Sequence, residues 1–182
     1  MHMARATRAW TLDELHRLPE DGNRYELVDG ELFVTPAPSP AHEVLALRLR
    51  EILDPYVRAH QLGDLFGPRS VVQMLGSEVE PDLMLRPTIS TVPETWAEMP
   101  LPLLVVEVLS RTTWRRDQQQ KRGYYHRIGV GEYWIVDRTT RTIRVHTRDN
   151  NFVTGTELRW HPAGASEPLV IDVESYFRDA LG

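Results

Sequence analysis

The sequence contains no cysteine and almost no lysine. Without cysteine the chain has no disulfide, no thiolate metal site and no cysteine nucleophile. Any bound metal must therefore take its ligands from carboxylates, carbonyls, water or histidine, which favours hard cations such as magnesium or manganese. Lys121 is the only lysine among 21 basic residues, so positive charge is otherwise supplied by arginine.

Long hydrophobic runs are also missing. No apolar run approaches the about 20 residues that a transmembrane helix needs, and residues 1–5 lack the apolar stretch of a signal peptide. We therefore expect a cytoplasmic protein. At 182 residues, of which 41% are hydrophobic, the chain fits one domain over residues 1–182. Its expected parts are a short N-terminal helix over 11–18, a core over about 24–147, and C-terminal strands and a helix over 152–182.

The charge is unevenly distributed along the chain. A net charge of -5 argues against a protein that coats nucleic acid, because such binding requires phosphates to be neutralised. Between Glu107 and Arg148, however, ten basic residues accompany four acidic ones, a local charge of +6. This stretch predicts a phosphate-facing surface, although a solvated helix and hairpin rich in arginine is an equally good interpretation.

The N-terminal third predicts a helix, a hairpin and a longer helix. Thr11 and Glu14 form a capping-box pattern that opens the first helix. Asp29-Gly30 suits the positive backbone angles of a tight hairpin turn, and Ser39 is a suitable N-cap for the second helix. The predicted hairpin strands are Arg24–Val28 and Glu31–Thr35, and the second helix runs from about 40 to 60.

The remainder predicts a strand-rich region around one further helix. The run from Leu103 to Leu109 is apolar on both faces except for Glu107, as in a strand buried between two layers. A helix follows from about Thr113 and ends near Gly129. Further strands are predicted near residues 70–75, 79–85, 132–137, 142–147, 152–160 and 169–173, and a short helix ends the chain.

Glu107 places a carboxylate inside an apolar strand. An ionised carboxylate buried without a partner is costly, so Glu107 needs a cation, a hydrogen-bond donor or a function. Asp82 lies on an earlier strand, on the opposite face from Leu83, and the two acids converge if their strands are neighbours. A divalent cation between them would relieve their repulsion and add Lewis acidity, with the Val108 carbonyl as a third oxygen ligand.

Lys121 follows on the helix that begins within a dozen residues of Glu107. A lysine presents a compact charge to water and phosphate, or acts as a base when desolvated, whereas a guanidinium stays protonated. Its position on the helix would bring the ammonium back over the end of the strand. The alternative is an ordinary surface pair between Asp117 and Lys121, four residues apart on the helix, worth a few tenths of a kcal/mol.

Five ordered pieces of the sequence stand out together: Tyr25-Glu26-Leu27-Val28-Asp29-Gly30-Glu31, Pro81-Asp82, Glu107-Val108-Leu109-Ser110, Asp117 with Lys121, and Gly131-Glu132-Tyr133-Trp134-Ile135-Val136-Asp137. As a set they resemble the Uma-two family of restriction endonucleases, within the PD-(D/E)XK nuclease superfamily. The resemblance runs from about Tyr25 to His146 and implies an α/β fold, with a restriction-endonuclease-like central mixed sheet flanked by helices and an N-terminal hairpin. The position two after Glu107 is Leu109, where lysine is usual, and the resemblance suggests that Lys121 supplies the ammonium instead.

The resemblance implies an endonuclease that hydrolyses DNA phosphodiester bonds with Mg²⁺ or Mn²⁺. Asp82 and Glu107 would bind the metal, and Lys121 would assist the attacking water. A homo-oligomer, most simply a dimer, is implied because many members of the superfamily cut both strands as dimers. The side chains expected to hold flanking phosphates are those of Arg111, Arg115, Arg116 and Arg122.

Two accessory residues and two other classes of function stay open. Glu26 and His42 are candidates to approach the same centre, but Glu26 would equally suit an outward-facing hairpin position and His42 a helix start. The protein could instead be a catalytically inactive nuclease fold that binds nucleic acid or serves in an assembly. It could also be a partner-binding module whose acidic centre is a structural ion site.

Overall fold

The computed structural model describes residues 8–109 and 114–182, apart from the side chains of residues 114–118. The described residues form four α-helices, 12 β-strands and one short 3-10 helix, Trp96–Glu98. The helices are α1 (Leu12–Leu15), α2 (Pro40–Ala59), α3 (Trp114–Ile128) and α4 (Val173–Leu181). The strands are β1 (Arg24–Val28), β2 (Glu31–Thr35), β3 (Asp64–Phe66), β4 (Val72–Met74), β5 (Ser77–Val79), β6 (Leu83–Arg86), β7 (Leu104–Val108), β8 (Glu132–Asp137), β9 (Thr142–Thr147), β10 (Asn151–Thr154), β11 (Glu157–Trp160) and β12 (Leu169–Asp172).

Six strands form the central sheet, in the order β10-β9-β8-β7-β6-β3. Neighbouring strands are antiparallel except for β7 and β8, which run parallel. A parallel pair needs a crossover connection, and α3 provides it because it lies between these two strands in the chain. The observed sheet is therefore the predicted mixed sheet flanked by helices.

The two faces of the central sheet carry different layers. Leu104, Val106 and Val108 of β7 pack with residues of α2 and α4, whereas Val105 packs in a second cluster with residues of α3. Side chains alternate between the faces of a strand, so Glu107 shares the face of Val105 and points toward α3. Because both faces are covered, β7 is apolar throughout except for Glu107.

The helix α2 spans 20 residues, and Ser39 caps it by accepting a hydrogen bond from the N–H of His42. Buried side chains recur along one stripe, represented by Leu45, Leu49 and Leu53, and this stripe packs on the central sheet. The cap and the stripe together fix the N-terminal turn of α2 beside the sheet. Within the described ranges, no helix combines the length and the apolarity that crossing a membrane would require.

The strands β1 and β2 form the predicted hairpin, with Val28 opposite Glu31. Its turn residues Asp29 and Gly30 have φ angles of 52° and 80°, the conformation that a tight two-residue turn needs and that glycine adopts without strain. β1 also pairs with β5, so the hairpin belongs to a four-stranded sheet of order β2-β1-β5-β4. This second sheet covers the α3 side of the central sheet and carries Glu26 toward it.

Some predicted boundaries are wrong. The strand predicted over residues 79–85 is two strands, β5 and β6, because Pro81 has no N–H to contribute to a ladder. The strand predicted over 152–160 also divides, and the bend at Gly155 leads β11 into a separate pair with β12. The first helix ends at Leu15 instead of residue 18, because the N–H groups of Arg17 and Leu18 bond to carbonyls three residues back and not four. β3 was missed, since three residues are too few for a periodic pattern.

Gly63 is required where the chain passes the end of β6. Its φ is +143°, and an added Cβ would lie 1.9 Å from the Arg86 carbonyl oxygen. We predict that Gly63→Ala lowers the free energy of unfolding by about 3 kcal/mol or more, from backbone strain and the clash together. Gly76→Ala is the matched control, because Gly76 also has a positive φ but has open space around it. Urea denaturation measures both, and equal losses in the two variants would contradict the close approach.

Candidate active site

Five buried polar side chains meet where β1, β7 and α3 come together with the N-terminal turn of α2 and the residue before β6. They are Glu26 from β1, His42 from α2, Asp82, Glu107 from β7 and Lys121 from α3, and each is less than 9% exposed. The structure thus brings together the three residues predicted as catalytic and both accessory candidates. Glu26 faces inward instead of lying on the outside of the hairpin.

The ammonium of Lys121 lies between two carboxylates. Its Nζ donates hydrogen bonds to Glu26 Oε1 at 2.8 Å and to Glu107 Oε1 at 2.9 Å. The hydroxyl of Tyr125, one turn further along α3, donates to the same Glu107 oxygen at 3.1 Å. Hydrogen bonds from the described residues to Glu107 therefore end on Oε1. The side chain of Asp117, the alternative partner for Lys121, lies outside the described residues.

Asp82 is held by three donors from three parts of the chain. Its Oδ2 accepts a hydrogen bond from the Val108 N–H at 2.7 Å and lies 3.0 Å from His42 Nε2. Its Oδ1 accepts a hydrogen bond from Arg24 Nη1 at 2.9 Å. The same Arg24 nitrogen donates to the Glu80 carbonyl oxygen, also at 2.9 Å.

Arg24 and Tyr125 are the two members of this centre that the sequence did not predict. Arg24 lies two residues before Glu26 on β1, so both side chains point to the same face of the strand. Tyr125 lies four residues after Lys121 on α3, so both lie on the same side of the helix. These spacings would have indicated both residues once Glu26 and Lys121 were placed at the centre.

The environment separates the pKa values of the two predicted metal ligands. Burial alone would raise the pKa of Asp82, but the contact with His42, the charge of Arg24 and the Val108 N–H outweigh it and lower the pKa to about 2. Burial raises the pKa of Glu107 to about 7, with Lys121 acting in the opposite direction. Asp82 is therefore a stable carboxylate, whereas Glu107 depends on a neighbouring cation for its charge.

Lys121 and His42 have raised pKa values, which favour their protonated forms. Burial would lower the pKa of Lys121, but the Glu107 and Glu26 carboxylates raise it above its ordinary value. Burial likewise opposes protonation of His42, and the contact with Asp82 overcomes it and raises the pKa of His42. His42 Nε2 must carry a proton in this contact because the Asp82 carboxylate only accepts. Its Nδ1 is buried and has no hydrogen-bond partner among the described residues.

The donor chemistry of the centre fits Mg²⁺ or Mn²⁺. Carboxylate oxygens predominate, as hard cations require, and three acidic groups face the two permanent cations Arg24 and Lys121. Among the described residues, no three histidine, aspartate or glutamate side chains form a ready metal cage. Mg²⁺ commonly binds through one or two carboxylates and keeps several waters, so two acids with the predicted Val108 carbonyl suffice for it.

The predicted phosphate-binding arginines are only partly described. Arg122 lies on α3 directly after Lys121 and its side chain is exposed. Arg115 and Arg116 also lie on α3, but their side chains fall outside the described residues, as does the whole of Arg111. The helix that supplies Lys121 to the acidic centre thus also presents a basic side chain to solvent.

A comparison with protein families assigns the chain. The model of the Uma2 family, described as "Putative restriction endonuclease", matches residues 12–175. The chain belongs to the Uma2 family. The matched range contains every residue of the acidic centre, and the family resemblance inferred from the sequence motifs is confirmed. No curated protein matches the chain.

The Uma2 chain shares its fold with a solved structure. A crystal structure from Anabaena variabilis ATCC 29413, described as a putative nuclease belonging to DUF820, superposes with a TM-score of 0.78 at 19% sequence identity. The similarity covers 94% of this chain and 99% of that chain. At this identity the likeness shows the fold, and it confirms the predicted nuclease-like α/β architecture.

The lowered pKa of Asp82 can be tested through the pH dependence of the free energy of unfolding. Because that pKa is about 2 in the folded chain against an ordinary 3.8, the carboxylate contributes about 2 kcal/mol above pH 4, and the contribution is lost as pH falls toward 2. We predict that Asp82→Asn lowers the free energy of unfolding by at least this amount at pH 7 in EDTA. Denaturant titrations from pH 7 to pH 2 should show the gap to the parent narrowing below pH 4.

Asp179→Asn is the control for this measurement, because the Asp179 side chain is 68% exposed. Its stability should follow that of the parent over the same pH range. An Asp82→Asn variant as stable as the parent at pH 7, or a gap that does not change with pH, would show that Asp82 is not held as a charged group.

Proposed function

We propose that this Uma2 protein is an endonuclease that hydrolyses DNA phosphodiester bonds with Mg²⁺ or Mn²⁺, and that Asp82, Glu107 and Lys121 form its reaction centre. The observation that carries the proposal is the position of the lone lysine. Its Nζ lies 2.9 Å from Glu107 Oε1 although it belongs to a helix and not to the strand that carries the glutamate. Membership of a family described as restriction endonucleases and the nuclease fold support the same conclusion.

The packing of Leu109 supports a catalytic ammonium that comes from α3 and not from the usual position two residues after Glu107. Leu109 stands where the superfamily usually has lysine, and its side chain packs against the apolar cluster on the α3 side. Lys121 reaches the Glu107 carboxylate from α3. An apolar residue at the usual lysine position is then compatible with catalysis, because another element supplies the charge.

The proposed metal ligands are Asp82, Glu107 and the Val108 carbonyl. When bound, a Mg²⁺ or Mn²⁺ ion would supply Lewis acidity to a phosphate oxygen and lower the pKa of a coordinated water. The Val108 N–H keeps the Asp82 carboxylate oriented, since it donates to Oδ2 at 2.7 Å. Tyr125 and Lys121 orient Glu107 in the same way by holding its Oε1.

The proposed role of Lys121 is to donate hydrogen bonds, not to accept a proton. Its two carboxylate neighbours raise its pKa, so the nitrogen stays an ammonium at neutral pH. In the hydrolysis, a water oxygen attacks the phosphorus in line with the leaving oxygen and gives its proton to solvent. The bond from phosphorus to the leaving oxygen breaks, and a proton from solvent converts that oxygen to a hydroxyl. Lys121 orients that water and stabilises negative charge on the phosphate as the bond breaks.

Binding of the substrate is proposed to use the basic side of α3. Arg122 is exposed there, and Arg111, Arg115 and Arg116 remain predicted phosphate ligands. Phosphate contacts position a duplex without reading its sequence, so this surface would hold DNA in register over the acidic centre. One centre cuts one strand, and a dimer would place a second centre on the other strand.

A second candidate function is a nucleic-acid-binding or assembly module without turnover. The observation that favours it is that the side chains of Arg24 and Lys121 pair with all three acids, so residues of the protein itself balance much of the acidic charge. Such a module would bind DNA with the same affinity after Lys121→Ala and would release no cleavage product. The cleavage assay below separates the two candidates.

We predict that Asp82→Ala and Glu107→Ala each lower DNA cleavage in Mn²⁺ by about 100-fold or more, because each removes a metal ligand. Lys121→Ala should also lower it about 100-fold, through loss of the ammonium. Lys121→Arg should not restore it, because a guanidinium is larger than the ammonium that this buried position holds. Conversion of supercoiled to nicked and linear plasmid measures the rates.

Arg127→Gln is the control for the cleavage assay. Arg127 also lies on α3, but it pairs with Asp29 in the hairpin turn and is 45% exposed. Its variant should cleave at the rate of the parent. If Asp82→Ala, Glu107→Ala and Lys121→Ala all cleave as the parent does, the assignment of the centre is wrong, and a parent that binds DNA but never cleaves it favours the second candidate.

The phosphate contact of Arg122 is tested by binding without cleavage. We predict that Arg122→Ala weakens DNA binding several-fold at low salt in EDTA and lowers the slope of log K against log salt by about 1, since one phosphate contact is lost. Arg58→Ala is the control, because Arg58 is exposed on α2 and pairs with Asp54. Fluorescence anisotropy at several salt concentrations measures the DNA affinity of both variants. Equal salt slopes in the two variants would show that Arg122 does not contact a phosphate.

A further inference from the structure

One of the two carboxylate oxygens of Asp82 accepts a hydrogen bond from a permanently charged arginine. Arg24 Nη1 donates to Asp82 Oδ1 at 2.9 Å, and Arg24 Nε lies 3.9 Å from Glu26 Oε2. The guanidinium comes from the hairpin sheet and reaches the residue that precedes β6. A protonated arginine therefore lies on the carboxylate that is proposed to bind a divalent cation.

The hydrogen bonds around Asp82 leave little room for an ion. A carboxylate offers about four lone-pair sites, two on each oxygen. Oδ2 meets two donors, the backbone N–H of Val108 at 2.7 Å and His42 Nε2 at 3.0 Å. Oδ1 meets Arg24 alone among the described residues. The free site for a cation is thus on Oδ1, the oxygen that Arg24 already holds.

Glu107 shows the contrasting arrangement. The hydrogen bonds that Lys121 and Tyr125 donate to it both end on Oε1. The ammonium of Lys121 therefore does not occupy Oε2. Lys121 and a metal can therefore use different oxygens of Glu107. Arg24 and a metal must share Oδ1 of Asp82, and two positive charges on one oxygen repel each other strongly in a buried site.

Arg24 has a second acceptor that allows it to yield. The same Nη1 donates to the Glu80 carbonyl oxygen at 2.9 Å, so the side chain keeps a hydrogen bond if it releases Oδ1. We propose that Arg24 competes with the divalent cation for Asp82 and thereby sets the affinity of the centre for its metal. This inference rests on the metal site of the proposed function and adds a residue that tunes it.

Mn²⁺ binding to the metal-free full chain tests the proposal without DNA. Isothermal titration should give a Kd about tenfold lower for Arg24→Gln than for the parent, because the competing charge is gone. Arg69→Gln is the matched control, because Arg69 lies 3.6 Å from Glu80 Oε2 and has no contact with Asp82. This substitution removes the same positive charge from a nearby position. Its Kd should stay near that of the parent. Equal or weaker binding by Arg24→Gln would overturn the proposal.

A measurement on the parent protein tests the proposal even if Arg24→Gln folds poorly. In ¹⁵N-labelled parent, the Arg24 side-chain resonances, assigned by their loss in Arg24→Lys, should shift when Mg²⁺ is added, because the hydrogen bond to Asp82 breaks. Unchanged resonances at saturating Mg²⁺ would show that the ion and the guanidinium do not compete.

The outcomes distinguish this inference from the proposed function. If the parent and Arg24→Gln bind Mn²⁺ equally well, the competition is wrong and the metal site stands. If neither binds Mn²⁺, both are wrong. If Arg24→Gln alone binds Mn²⁺, the competition is supported and the metal dependence proposed for the parent fails.

Discussion

The contact on which the centre depends is that of one ammonium with two buried carboxylates. Lys121 joins Glu26 of the hairpin sheet to Glu107 of the central sheet, at 2.8 and 2.9 Å. Removal of one member would leave an uncompensated buried charge, which typically costs 3–5 kcal/mol. The hairpin, β7 and α3 therefore hold their relative positions partly through charge, and the same contact places the ammonium beside the acids proposed to bind metal.

The sheet arrangement explains why this contact forms. β7 is covered on both faces, so the one acidic side chain in it must find its partner within the protein. The parallel pair of β7 and β8 requires a crossover, and α3 is that crossover, so it passes over the face to which Glu107 points. Connectivity and charge compensation thus lead to the same position for Lys121.

Much of this could be predicted from the sequence, because local chemistry determines it. Asp29-Gly30 specifies the hairpin turn, and a lone glutamate in an apolar strand indicates Glu107 as an unusual residue. Arg24 was not predicted, because its only signal is the spacing from Glu26, and that signal has no meaning until β1 is known to lie against Asp82. That proximity depends on long-range contacts between β1, β5 and the start of β6, which no local pattern specifies.

We propose that Asp82 and Glu107 hold one ion beside the ammonium of Lys121. Anomalous diffraction from crystals grown with Mn²⁺ is the sharpest test of that ion. We expect a single strong peak at the carboxylates of Asp82 and Glu107, with Arg24 withdrawn from Asp82. An ordered centre without such a peak while Mn²⁺ occupies a site elsewhere on the chain would contradict it.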